Sequence, residues 1–222
     1  MTSSLSDWLV AGAPPRHDFS GLVGEVGRRL VSAGMELDWF GIHLHVIHPE
    51  IPARLTYWTP AAEVKTAALS PEQIKDHEAW VGSPAEVCLR SGRMVIYTVG
   101  ASPEFDCRAD MQALADRGYE QFVCTPLHST HSLPTHVARY GTKRKGGFTQ
   151  EDIVVIRTIQ APLARLAESH SLYEGTVQIL STYVGRDAGN RVLRGNILRG
   201  DTETIPSIIL FADLKSFSAL SN

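Results

Sequence analysis

Apolar positions between residues 19 and 35 recur close to every 3.6 residues, at Leu22, Val23, Val26, Leu30 and Val31. That period belongs to one face of a helix and predicts a first helix from about Phe19 to Met35. The period then changes. Trp39 to Ile47 alternates and predicts a strand, His48-Pro49-Glu50-Ile51-Pro52 breaks it, and Ala53 to Thr59 predicts a second strand in a hairpin with the first. Ser70-Pro71-Glu72 and Ser83-Pro84-Ala85-Glu86 read as two helix starts, the latter with serine as N-cap, proline in the first turn and glutamate three residues on. Arg93 to Val99 predicts a short strand after the Ser91-Gly92 turn. Met111 to Arg117 predicts a helix ending at Gly118, and Glu120 to Leu127 and Thr135 to Gly141 predict two further strands.

The most regular pattern comes last. Thr149-Gln150-Glu151-Asp152 is a helix start with Asp152 in a capping-box role. Beyond it, Ile156, Ile159, Leu163, Leu166, His170, Tyr173, Val177, Leu180 and Val184 are spaced alternately three and four apart, a heptad seam. Pro162 is expected to kink or divide this helix, and Gly175 weakens it. The seam has two readings. Up to Leu166 it suits a helix packed on its own domain; beyond His170 it suits a parallel coiled coil, with His170 as a polar residue that fixes register. The order of elements predicts an α+β fold, an antiparallel sheet flanked by helices and followed by a long C-terminal helix. Residues 1–16, ending in Ala13-Pro14-Pro15-Arg16, read as a polar, disordered tail.

Composition narrows the class. The 222 residues are 43% hydrophobic and 20% charged, enough for one medium domain with an extension. The net charge of -3 offers no basic excess to attract nucleic acid or an anionic membrane. The longest apolar run, Ile208 to Ala212, is far short of the roughly 20 residues of a spanning helix. Met1 to Val10 has no basic start and carries Asp7, unlike a signal peptide. Cys88, Cys107 and Cys124 stand far apart with no CxxC, which fits reduced, buried thiols and a cytoplasmic location.

Candidate chemistry is sparse. Gly21, Gly24 and Gly27 do not follow a strand. Gly141 and Gly146 have P-loop spacing, but Gly147-Phe148 stand where the phosphate-binding Lys-Ser/Thr would be. Cys124, His128, His131 and His136 are zinc-ligand types in a loose group without paired short spacings, so they read as a metal cluster or as loop and pocket polar residues. Lys143, Arg144 and Lys145 read as an anion contact or as a solvated turn. A small-molecule pocket between sheet and helices would draw on Trp39, His43, Trp58 and Tyr97, each equally a core residue.

Two segments carry a family resemblance. Thr182-Tyr183-Val184-Gly185-Arg186-Asp187-Ala188-Gly189-Asn190-Arg191-Val192-Leu193-Arg194-Gly195-Asn196-Ile197-Leu198-Arg199-Gly200-Asp201 resembles the linker that precedes the catalytic domain of bacterial class III adenylate/guanylate cyclases. Residues 206–221, with Ile208-Ile209-Leu210-Phe211-Ala212-Asp213-Leu214-Lys215 at their centre, resemble the opening catalytic strand. His48-Pro49, Ser83-Pro84, Pro126-Leu127 and Thr142 to Thr149 look like the GAF-type sensory domain found in such cyclases. The resemblance implies a GAF-like domain over 17–168, a signalling helix and linker over 169–205, and the start of a catalytic domain over 206–222. It also implies a homodimer through the helix around Leu163 to Val184.

In the family two aspartates hold Mg or Mn, which activate the attacking hydroxyl and bind the triphosphate. Asp213 matches the first, and the second would fall beyond Asn222. Ser216 stands where the family has glycine. The expectation is therefore a regulatory region without cofactor or activity of its own as given. Two alternatives stand beside it: part of an active cyclase that converts a nucleoside triphosphate to a cyclic nucleotide and pyrophosphate, and a ligand-free dimerisation module.

Overall fold

Alternating strands can bury both sheet faces only if helices cover both, and the chain supplies them. The computed structural model describes residues 2–14, 18–46, 53–69, 80–106, 109–130, 136–195, 208 and 210. Its sheet has strands β1 (Trp39–His45), β2 (Ala53–Thr59), β3 (Ala62–Leu69), β4 (Val95–Thr98), β5 (Gln121–Leu127) and β6 (His136–Thr142). They lie in the order β3-β2-β1-β6-β5-β4, every pair antiparallel. The helices are α1 (Thr2–Val10), α2 (Phe19–Ser32), α3 (Pro84–Ser91), α4 (Pro103–Asp106), α5 (Ala109–Asp116), α6 (Gln150–Tyr183) and α7 (Arg186–Leu193). This is the expected α+β architecture.

One sheet face packs on α2 and α6. Phe40, Ile42, Leu44, Val123, Ala138 and Tyr140 point there and meet Leu22, Val26, Leu30, Ile156, Ile159 and Leu163 in one buried cluster. Burying each large aliphatic side chain is worth about 1.5–3 kcal/mol. Trp58 also lies on this face, because it pairs across the hairpin with Phe40 and directly opposed residues share a face. Gly27 of α2 lets it in: a Cβ there would stand 2.3 Å from the indole. The opposite face packs on α3, with Ala85 and Cys88 against Cys124 and Val137. It also meets α4 and α5, where Phe105 and Met111 join Tyr97 and Phe122.

The local signals hold at several helix starts. Ser83 caps α3 by accepting from Glu86 N–H. Thr149 and Asp152 form a reciprocal capping box on α6. Asp18 caps α2, which ends at Ser32 rather than Met35.

Three expectations are corrected. The N-terminal segment is not a disordered tail: α1 buries Leu5, Trp8 and Leu9 against the main core, and Trp8 Nε1 donates to Pro14 O at 2.9 Å. Pro162 does not divide α6, which is helical for 34 residues. Ile156 and Ile159 before it and Leu163 after it are fully buried, and that packing outweighs one lost backbone bond. The short strand over 93–99 contracts to β4.

β3, α4 and α7 were unforeseen. β3 is an edge strand with exposed alanines and Lys65, so it carries little alternation. α4 is a single short turn of helix. The helix start at Ser70 lies outside the described residues, as do Ile47 to Pro52.

The seam on α6 splits. Its first half is core. From Ala164 the buried positions become Ala167, Glu168, Ser171 and Gly175, and Tyr173 and Val184 of the seam are exposed. His170, expected to fix a dimer register, instead packs edge-on against Phe19 of its own chain at 5.4 Å. After Gly185, at φ +92°, α7 packs on α6 with Gly189 against Leu180.

Candidate functional site

The face covered by α3 to α5 carries three of the four predicted pocket residues. Register alone puts Trp39, Gly141, Phe122 and Tyr97 in one row across four strands. The next row is Tyr57, Gly41, Arg139, Cys124 and Val95, and the third runs Leu55, His43, Val137 and Pro126. Of the predicted pocket residues, Trp39, His43 and Tyr97 therefore share this face, and Trp58 lies on the other. Arg139 and Trp80 are the members that sequence reasoning missed. A charged residue amid Val137, Ala138, Tyr140 and Gly141 was the available signal for the first.

Among the described residues, the groups around Arg139 are neutral. Its guanidinium lies 5.1 Å from the Trp39 ring and 5.6 Å from the Phe122 ring. Its Nη1 is 3.2 Å from His43 Nε2, and it stands opposite Cys124 in the β5–β6 register. Trp39 stacks on Tyr57 at 5.6 Å, over the bare backbone of Gly41, where a Cβ would stand 2.4 Å from the indole. Trp80 leans on the His43 ring at 5.1 Å. Tyr97 is buried edge-on to Phe105 at 5.9 Å.

Burial first, then the Arg139 charge and His45, hold the His43 pKa well below the usual imidazole value. Burial pushes the Cys124 thiol up to about 11 against the pull of Arg139, and the Cys88 thiol up to about 12. Both thiols stay protonated at neutral pH and are poor nucleophiles. Cys107 lies outside the described residues.

The other candidates do not assemble. His136 is buried on the α6 side, where its Nδ1 accepts from His45 N–H at 3.1 Å. Burial, then His45, lower its pKa to about 4 against the pull of Glu168. His128 is exposed, and His131 lies outside the described residues. Among the described residues no three His, Cys, Asp or Glu side chains gather as metal ligands. The basic turn is bound internally: Arg144 pairs with Glu36 at 3.5 Å and Asp152 at 3.8 Å, and Lys143 lies 5.1 Å from the Tyr119 ring. Asp213 lies outside the described residues. No helix among the described residues is long and apolar enough to cross a membrane.

The fold is that of GAF domains. The phycocyanobilin-bound GAF domain of a cyanobacterial phytochrome is 11% identical, with 78% of this chain and 97% of that one covered at a TM-score of 0.54. A GAF sensor protein from Burkholderia vietnamiensis is 12% identical over 78% and 95% of the two chains, TM-score 0.49. A free methionine-R-sulfoxide reductase from Neisseria meningitidis, in complex with its substrate, is 13% identical over 78% and 89%, TM-score 0.48. At these identities the likeness concerns fold alone. No protein-family model matches the chain, and no curated protein matches it.

Proposed function

We propose that this chain is the sensory and dimerising region of a class III nucleotide cyclase in cyclic-nucleotide signalling. The observation that carries the reading is the division of α6. Its first half is built into the GAF-fold core through Ile153, Ile156, Ile159 and Leu163. Its second half exposes Leu172, Tyr173, Ile179, Tyr183 and Val184, and it leads into the segment that resembles the cyclase linker. A helix rooted in a sensory core and apolar at its far end suits a parallel dimer that passes small movements onward. The dimer stripe then runs through Leu172, Ile179 and Tyr183, one position from the expected seam, because α7 occupies Leu180. A small molecule held on the α3–α5 face would bias the root of that helix through the sheet.

Were the native chain longer, Asp213 would be one of two carboxylates to hold Mg or Mn, and those ions would supply Lewis-acid chemistry at the triphosphate and the attacking hydroxyl. Light scattering at micromolar concentrations tests the reading. A dimer that Ile179→Glu with Tyr183→Glu converts to monomer is the expected result, and a wild-type monomer at high micromolar concentration overturns it. Metal-dependent formation of a cyclic nucleotide by these 222 residues would replace the regulatory reading with the enzymatic one.

A further inference from the structure

We propose that His136, the backbone of His45 and Ser171 form an acid-sensitive clasp, which holds the middle of α6 to the end of the sheet and opens when His136 takes up a proton. The clasp acts within one chain, so it goes beyond the sensory reading and does not depend on it. Ser171 Oγ donates to His45 O. Glu168 Oε1 accepts from the Thr130 N–H and hydroxyl, each at 2.7 Å, and its Oε2 accepts from Arg165 Nη1 at 2.8 Å. Arg165 also donates to His128 O. Before these residues α6 is rooted by the buried Ile156, Ile159 and Leu163, and beyond them Leu172, Tyr173, Ile179 and Tyr183 are exposed. The polar contacts therefore sit where the helix leaves the core.

Beneath them lies an imidazole. The described β1–β6 register runs to His43 opposite Val137. Two residues further along β1, the His136 ring stands in for a ladder partner, its Nδ1 accepting from His45 N–H at 3.1 Å. An accepting Nδ1 carries no proton, so the neutral ring holds its proton on Nε2, which is buried without a partner. His45 is thus held on both sides, its N–H by His136 and its C=O by Ser171. A proton added to Nδ1 sets two donors against each other and leaves a buried charge. The end of β1 then parts from His136, and the carbonyl that Ser171 uses moves with it. Freed from the core, the short remainder of a helix is marginal in water and frays.

Among the described residues, the charged and titratable groups around the clasp come from three sides. The His45 ring stands 6.4 Å from that of His136, and burial lowers its pKa too, so a proton there acts in the same direction. On α6, Glu168 pulls the His136 pKa up but is already engaged by Arg165 and Thr130. His170 has Glu174 and Asp18 as its charged neighbours, and Arg54 pairs with Glu174 at 3.0 Å. His43 and its neighbour Arg139 lie on the α3–α5 face. His48, Glu50 and His131 lie outside the described residues. Burial first, then His45, hold the His136 pKa at about 4 while the clasp is closed, and exposure on opening returns it toward about 6.5. The lower value belongs to the closed form, so that form is favoured above pH 6.5 and loses ground as the pH falls. Between pH 7.5 and pH 5 the opening equilibrium should shift about thirtyfold.

Hydrogen–deuterium exchange of the full chain at pH 7.5 and pH 5, corrected for the intrinsic rate at each pH, tests the clasp. Amide protection over 166–183 and at the end of β1 should fall about thirtyfold at pH 5, while 153–163 and β5 keep theirs. Glutamine accepts a hydrogen bond without titrating. His136→Gln, verified as folded by circular dichroism, should therefore lose most of the acid response. Ser171→Ala should leave the β1 response in place and uncouple α6 from it. The chain with Ile179→Glu and Tyr183→Glu should respond as wild type does, which separates opening of the clasp from separation of a dimer. In wild type alone, a uniform loss of protection or no loss overturns the proposal. So does an equal acid response in His136→Gln, an α6 response unchanged by Ser171→Ala, or a response that disappears in the doubly substituted chain. The sensory reading falls separately, on the light-scattering result.

Discussion

The two faces of the sheet are built from the same six strands to opposite specifications. Toward α2 and α6 lie Phe40, Ile42, Trp58, Val123, Ala138 and Tyr140, locked into helix side chains with almost no exposure. Toward α3 to α5 lie His43, Cys124 and Arg139, with aromatic rings in place of an aliphatic jigsaw. The difference separates aliphatic packing from a mixed aromatic and polar surface. Among the described residues the second face holds a cation among neutral groups, whereas the orphaned polar atoms of the first face, such as His136 Nε2, are uncharged.

The largest expected effect falls on the first face. Leu163→Ala empties a fully buried position and should cost about 2–5 kcal/mol in denaturant unfolding. Gly27→Ala drives a methyl into the Trp58 indole and should cost about 1–3 kcal/mol, because both helix and sheet resist moving apart. Acid should act next. The folded-state pKa of His136 is lowered to about 4, below its value in the unfolded chain, so the unfolded chain binds more protons between about pH 6.5 and pH 4. Stability that is full above pH 6.5 should fall by about 2–3 kcal/mol as pH drops to 4, and His136→Gln should flatten that part of a pH series of urea melts. Thr149→Ala removes one arm of the α6 capping box and should cost about 1 kcal/mol. On the second face, Arg139→Met should cost nothing or raise stability slightly, because the lost ring contacts of about 0.5–2 kcal/mol are offset by the removed desolvation of an uncompensated charge.

Much of this was legible in the residues, and the failures have physical causes. Alternation located β1, β2, β5 and β6 to within one or two residues, since each is buried on at least one face. Capping chemistry marked Ser83 and Thr149. β3 was invisible because an edge strand needs no apolar alternation, and Ala62 to Leu69 favours helix by composition. α1 was hidden because Leu5, Trp8 and Leu9 are few apolar residues in a polar segment. Trp39, His43 and Tyr97 share one sheet face by register. Trp58 falls on the other face because the hairpin register, which opposes it to Phe40, is not written in either strand alone. Arg139 was passed over because a single charge in a strand looks like an exposed position until the neighbours are known.

The contrast between the faces is tested most directly by the thermal midpoints of Arg139→Met and Leu163→Ala measured beside wild type. At roughly 2–4 °C per kcal/mol for a chain of this size, Leu163→Ala should melt about 5–15 °C lower. Arg139→Met should melt at or above wild type. If Arg139→Met falls as far as Leu163→Ala, Arg139 is a structural residue and the two faces serve the same purpose.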